Sequence, residues 1–319
     1  CGKTEDTTKV YKIASDNAFP PFESLDADGK TYVGIDMDIL AAVAEDQGFQ
    51  YEVANVGFDP AIGQVQAGQA DAMIAGMTIT AKRQETFDFS DGYFEDGQSL
   101  IVAKDSTIAS FEDLAGKTVA VKAGTMGLEY ADSIKAQYGF ETSTFEGSVE
   151  MYQAVINGTC VACFEDRAVI GTAIANGDVN LKTVGEVINP GWYGFAVNKG
   201  QNAELIDMFN KGLENIKASG KYDEILAKYL GFDFIDAENV IFFKENGTLD
   251  EEKTNAELSA ELEKHKYAVI PGFYGGTPNG TVKTFSRGGS DITGSIVAKA
   301  AKADLYENWT DVSGFMMAD

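Results

Sequence analysis

Arg83 sits in the stretch "GMTITAKRQETFDFSDGYF", Gly76 to Phe94, close to two threonine hydroxyls and ahead of an acidic, aromatic tail. A guanidinium presents a planar fork of donors that matches a carboxylate or a phosphate in two parallel bonds. The chain carries 50 acids against 25 bases. An arginine so placed in so acidic a chain answers either to a bound anion or to an ordinary surface ion pair. A second candidate is the C-x-x-C of Cys160 and Cys163 in "TCVACF". A redox pair would stand at a helix N-terminus. On a strand, residues three apart face opposite sides, so these two read as buried, inert thiols. Three cysteines are too few for a disulfide framework, and no cofactor or metal pattern accompanies them.

These residues must be positioned by regular elements, and the chain supplies them. Its 319 residues, 44% hydrophobic and 24% charged, suffice for two or three compact units. A net charge of −25 speaks against direct binding of nucleic acid or an anionic membrane surface. No apolar run approaches the roughly 18 residues that span a bilayer. From Val10 the pattern alternates strand and helix. "YKIAS" is strand-like, "IDMDILAAVAEDQG" is an amphipathic helix closed by Gly48, and "ADAMIAG" is a buried strand. "SFEDLAGKTVAVKAGT" reads as capped helix, strand and glycine turn. "SVEMYQAVINGTCVACFEDRAVIGTAIANG" repeats the helix–strand–helix unit. Such alternation predicts an α/β fold with mostly parallel sheets.

Five motifs then occur in order: "SDNAFPPFE", "GIDMDI", "ADAMIAGMTITAKRQETFDFSDGYF", "GKTVAVKAGT" and "FEDRAVI". Together they resemble the extracellular solute-binding proteins of amino-acid ABC transporters, the glutamine-binding kind in particular, over Val10 to Gly231. The resemblance implies a two-lobed periplasmic-binding-protein type II fold, with lobe one over 10–99 and 195–231 and lobe two over 104–190. The hinge crossings then lie near "QSLIVAK" and "NPGWYGF". It implies a free amino acid as ligand, a permease as partner, and no catalysis. Arg83 would clamp the carboxylate, helped by Thr78 and by amides at Thr125 and Met126 in a turn that opens a helix. Asp166 and the carbonyl of Gly76 would take the ammonium. Phe19 and Phe58 would cover the aliphatic stem. Asp16 and Lys122 offer an acceptor and a donor, which suits a carboxamide and favours glutamine. Glu165 stands where some glutamine-binding relatives have histidine; it tilts selectivity towards another polar or basic amino acid, or points to solvent. Met126 replaces a smaller residue and trims the pocket. Cys1 and the polar "CGKTEDTTK" resemble the start of a mature bacterial lipoprotein. Residues 1–9 are then a tether, with lipid on Cys1 anchoring an extracytoplasmic protein to the membrane.

Composition changes after Gly231. From about Ile235 to Asp319 the motifs "VIPGFYG", "FSRGGSDITGS" and "ENWTDVSG" resemble part of an aspartokinase, of the amino-acid kinase fold. That resemblance implies aspartate contacts at Arg287, Ser290 and Asp291, and nucleotide contacts at Thr310 and Asp311. Phosphoryl transfer depends on positioned positive charge, and the lysine–glycine-glycine strand that supplies it in that family has no counterpart between Gly231 and Asp319. The segment therefore reads as a vestigial α/β piece. Kinase activity, or a sensory role exerted through the tail, is the alternative to amino-acid capture.

Overall fold

A computed structural model describes residues 9–231, 233–265, 268–285, 289–303 and 305–306. The chain divides into two compact units, 1–219 and 220–319.

The first unit holds two five-stranded sheets. In chain order its elements are β1 (Val10–Ser15), β2 (Ser24–Leu25), β3 (Tyr32–Val33), α1 (Ile35–Gln47), β4 (Gln50–Asn55), α2 (Phe58–Gln66), β5 (Ala72–Met73), α3 (Ala81–Gln84), β6 (Phe87–Phe89) and β7 (Phe94–Ala103). There follow a 3₁₀ turn (Phe111–Leu114), β8 (Thr118–Lys122), α4 (Met126–Tyr138), β9 (Glu141–Phe145), α5 (Ser148–Ile156), β10 (Ala162–Asp166), α6 (Arg167–Asn176), β11 (Leu181–Tyr193), β12 (Ala196–Asn198) and α7 (Ala203–Ala218). The first sheet runs β4-β1-β5-β12-β6 and the second β11-β7-β10-β8-β9. β1 pairs in parallel with β4 and β5, and β8 with β9 and β10, as the strand–helix alternation predicts. The returning strands β12, β7 and β11 are antiparallel. This is a two-lobed α/β fold, one lobe per sheet.

Local sequence explains the punctuation. Asp36 and Asp38 occupy the positive first turn of α1, and Gly48 closes it in the left-handed region. The expected helix at "SFEDL" is only a 3₁₀ turn. Ser110 and Asp113 form its capping box, and "AGK" follows before enough residues accumulate for an α-helix. Helix α7 packs on α1 across Gly212, where a Cβ would meet Val43 Cγ1 at 2.7 Å. Each lobe has its own apolar core. Met73, Met77, Phe58 and Val65 anchor the first; Leu100, Val119, Phe164 and Leu114 anchor one side of the second sheet. Cys160 and Cys163 are free and buried with Ile101, Met151 and Ile170 on its other side. Burial raises both thiols.

The first crossing falls earlier than expected. "QSLIVAK" lies mostly within the second sheet, where Ser99 to Val102 pair with β10. The connection is instead a two-stranded ribbon in which Phe94, Glu95 and Asp96 face Tyr193, Trp192 and Gly191. The second crossing, in "NPGWYGF", lies where expected, between β11 and β12.

The second unit comprises α8 (Lys221–Leu230), β13 (Asp233–Phe234), α9 (Glu251–Leu262), β14 (Ala268–Val269), β15 (Tyr274–Gly276), β16 (Val282–Thr284) and α10 (Gly289–Ala300). α8 packs on β13 and β14 and falls within this unit. Its core gathers Ile235, Val240, Ile241, Leu258, Tyr274 and Ala300. Cys1 lies outside the described residues, as do Arg287, Thr310 and Asp311 of the kinase-like motifs. Ser290 and Asp291 fall in the first turn of α10.

Candidate functional site

Gly76 ends the apolar run after β5 with φ 55°, and a Cβ there would lie 2.7 Å from Phe19 Cε1. Only glycine accepts both that backbone and that contact. Phe19 stacks on Phe22, and Phe22 meets Tyr193 and Phe94 of the ribbon edge to face. The chain then turns into the four-residue helix α3. Thr80 caps it by accepting from the Arg83 amide at 3.1 Å, which orients Arg83 inward. The buried guanidinium donates to the carbonyls of Thr78 (2.8 Å) and Gly124 (3.1 Å) and lies 5.6 Å from the centre of the Phe58 ring. Burial pushes its pKa down, against the opposing pull of Glu129 and Asp166. Five N–H donors serve these two carbonyls, so bonding capacity remains.

The second lobe contributes the ends of β8 and β10. Thr125 caps α4: its Oγ1 donates to the Lys122 carbonyl at 2.7 Å and accepts from the Leu128 amide at 3.3 Å. The Thr125 amide also leans on that carbonyl, at 3.4 Å. The amides of Met126 and Gly127, first in the helix, have no partner within it. Asp166 ends β10, where the Gln98 amide and the Tyr193 hydroxyl donate to its two oxygens.

The expected residues converge. Phe19, Phe58, Gly76, Thr78, Arg83, Lys122, Thr125, Met126 and Asp166 all line one cavity of about 20 Å³, with Ala75, Gly127, Phe164 and Glu165. Asp16 does not line it. Asp16 is buried behind Lys122 and ion-paired to its ammonium, and its other oxygen accepts from the Asn17 amide at 2.6 Å. Glu165 does not point to solvent: it is buried in the wall, accepting from Tyr152 Oη at 3.1 Å and from the Asp166 amide at 3.0 Å. Gln98 and Tyr193, which hold Asp166, carry no local pattern that marks them. The only hint is that Tyr193 falls inside a hinge crossing. Among the described residues a larger cavity of about 740 Å³ lies in the C-terminal unit between α9 and α10, with a mainly apolar lining that includes Leu262, Ile270 and Val297.

The electrostatics are those of a buried, mixed-sign site. Burial raises Glu165 to about 7 and Asp166 to about 6. Lys122 opposes the rise in both cases. Desolvation pulls Lys122 itself down, but Asp16 and Glu165 outweigh it and hold its pKa up. The cavity thus faces a forked cation, an ammonium, two titratable acids and two aromatic faces. It can take a small molecule of both charges. Among the described residues no group of His, Cys, Asp and Glu could hold a metal ion.

Two lobes joined by a ribbon, with charged walls on both sides of one cleft, define a ligand-binding protein. The chain belongs to the bacterial extracellular solute-binding proteins, family 3, whose model matches residues 11–232. It is 34% identical over 226 residues to a probable histidine-binding protein of Neisseria gonorrhoeae, covering 69% of this chain and 83% of that one. It is 35% identical over 202 residues to the ABC transporter glutamine-binding protein GlnH of Bacillus subtilis, covering 62% and 72%. A solved structure of an ancestral arginine-binding protein bound to glutamine is 38% identical with a TM-score of 0.64, covering 70% of this chain and 98% of that one. The family is one of extracellular binding proteins, not enzymes, and its match ends before most of the C-terminal unit. No described helix is long and apolar enough to cross a membrane.

Proposed function

We propose that the protein captures a free polar amino acid, glutamine before others, and presents it to an ABC permease. The observation that carries this is the convergence of Arg83 with Asp166 across one cleft, one from each lobe. A guanidinium fork suits the α-carboxylate and a buried carboxylate suits the α-ammonium. Thr78 and the α4 amides add donors for the carboxylate; Phe19 and Phe58 cover the stem. The cavity of about 20 Å³ has room for roughly one water. An amino acid therefore enters as the lobes part, with release of the Lys122–Asp16 and Arg83–Gly124 contacts that tie them. Contacts to both lobes then favour closure.

Charge accounting sets the side chain. With Arg83 and Asp166 matched to the α-groups, Lys122 and Asp16 cancel each other. Glu165 alone is left. Protonated, it leaves a neutral pocket with donors and acceptors for a carboxamide. Ionised, it gives a basic side chain its counter-charge, and this buried acid favours arginine or histidine as the second candidate. An acidic side chain faces Glu165 and is disfavoured. Among the described residues none of the C-terminal unit lines this cleft, and we infer that the unit takes no part in capture and transfers no phosphoryl group.

A thermal-shift screen of the whole protein against the twenty amino acids tests the proposal. A ligand at about a hundredfold excess over Kd adds about 2.7 kcal/mol of stability. Glutamine is expected to give the largest shift, and no shift with any amino acid would overturn the reading.

A further inference from the structure

Glu23 and Asp36 are fully buried in the first lobe, directly behind Gly76 and Phe19, and neither lines the cleft. One oxygen of Asp36, Oδ2, accepts from the Gly76 amide at 2.8 Å and from the Tyr93 hydroxyl at 2.9 Å. Its other oxygen and both oxygens of Glu23 receive no N–H or O–H from the described chain. Asp36 is the first of the charges that push Glu23 up, so the two buried carboxyl groups face each other. Double ionisation of such a pair is disfavoured, and a proton kept by one of them supplies the donor that these three oxygens lack.

We propose that Glu23 is a positioning residue that stays protonated at neutral pH and donates to Asp36 Oδ1, and that this shared proton holds Gly76 and Phe19 in the geometry that receives the ligand. The backbone makes the coupling direct. The Phe19 amide donates to the Glu23 carbonyl at 2.7 Å, the Asp36 amide donates to the Phe22 carbonyl at 3.0 Å, and Tyr93 lies where the chain enters the hinge ribbon. A shift of Glu23 thus moves the Phe19 wall, and a shift of Asp36 moves the Gly76 floor and the hinge.

The surrounding charges agree. Burial raises Glu23 well above the usual carboxylate range; Asp36 and Asp16 add to the rise and Lys122 opposes it. Burial likewise raises Asp36 to about 6, against the bonds from Gly76 and Tyr93. Among the described residues Lys122 is thus the cation that faces Glu23, and it is engaged by Asp16. A group raised in the folded state contributes stability that is present at low pH and lost as pH rises through its folded value. Loss of the shared proton at alkaline pH places two charges behind Gly76 and weakens binding.

The positioning role rests on the function proposed above, whereas the proton can be tested without ligand. Infrared spectra of the wild-type protein above about pH 8, where Glu165 and Asp166 have ionised, are expected to keep a carboxylic C=O band that Glu23→Gln removes. Glutamine titrations of both proteins come next, at the pH where that band is full and at the higher pH where it has gone. The carboxamide that Glu23→Gln introduces donates at every pH, so the ratio of wild-type to variant affinity is expected to fall at least about tenfold between those two conditions. Absence of the band in the wild type overturns the shared proton, whether or not the variant folds. A band with parallel affinity profiles overturns the positioning role. If glutamine binds neither protein, the functional reading fails while the band still decides whether the proton is there.

Discussion

Replacing Arg83 by lysine keeps the positive charge and removes the fork. If simple charge attraction held the ligand, Arg83→Lys would change little. In the structure the guanidinium reaches Thr78 O at 2.8 Å and Gly124 O at 3.1 Å with Nη1 and Nη2 and still has donors for a carboxylate. An ammonium cannot span both carbonyls and grip two carboxylate oxygens at once. At least one charge-assisted bond to the ligand is lost, worth about 1.5–3 kcal/mol. That corresponds to roughly a 10- to 150-fold weaker Kd. The variant retains a charge beside Phe58 and stays folded, with a lower Tm from the lost inter-lobe bond to Gly124. Isothermal titration with glutamine, checked against a melt of the same sample, reads the effect. Affinity within threefold of wild type, or an equal loss with a ligand lacking the α-carboxylate, would refute the clamp.

Lys122→Met removes one partner of a buried ion pair and leaves Asp16 charged; denaturant unfolding is expected to show a loss of about 3–5 kcal/mol, partly recovered when Asp16→Asn is added. In wild type, Glu165 is raised to about 7 by burial, so arginine affinity is expected to grow as pH rises through that value, while Glu165→Gln binds arginine weakly at every pH and keeps glutamine. By the same linkage, stability from this raised acid is present at low pH and lost as pH climbs through about 7, so Glu165→Gln gains stability over wild type on the alkaline side, measurable by melts. The whole chain, incubated with ATP, magnesium and aspartate, is expected to form no aspartyl phosphate; detectable product would give the C-terminal unit a role of its own.

Much of the candidate cleft's lining was legible because its residues come in short, ordered blocks. Gly76, Thr78 and Arg83 lie within eight positions, and a positive-φ glycine followed by a capped turn is enough to aim the arginine inward. Lys122, Thr125 and Met126 share one strand-to-helix turn. The helix ends were legible for the same reason, since Gly48, Gly139 and Gly177 each close a helix in the left-handed region. What failed depended on distant packing. Asp16 looked like a ligand group, but burial beside Lys122 at the lobe contact withdraws it from the cavity wall. Tyr193 and Gln98 grip Asp166 from two hinge strands, a meeting set by strand register and not by local pattern. The first crossing was misplaced because β7 is one continuous strand that serves first as ribbon and then as sheet. The Glu23–Asp36 pair was invisible for a similar reason: an acid in "PPFE" and another in "GIDMDI" are ordinary until the fold buries both.

The central claim is that this cleft takes a zwitterion with a neutral polar side chain. Calorimetric titration of the full chain with glutamine, glutamate and arginine at about pH 6, where Glu165 is mostly protonated, tests it most directly. Glutamine is expected to bind with one site and at least about tenfold tighter than either competitor, a gap of about 1.4 kcal/mol. Arginine binding as tightly as glutamine at that pH, or glutamate binding tighter than both, would contradict it.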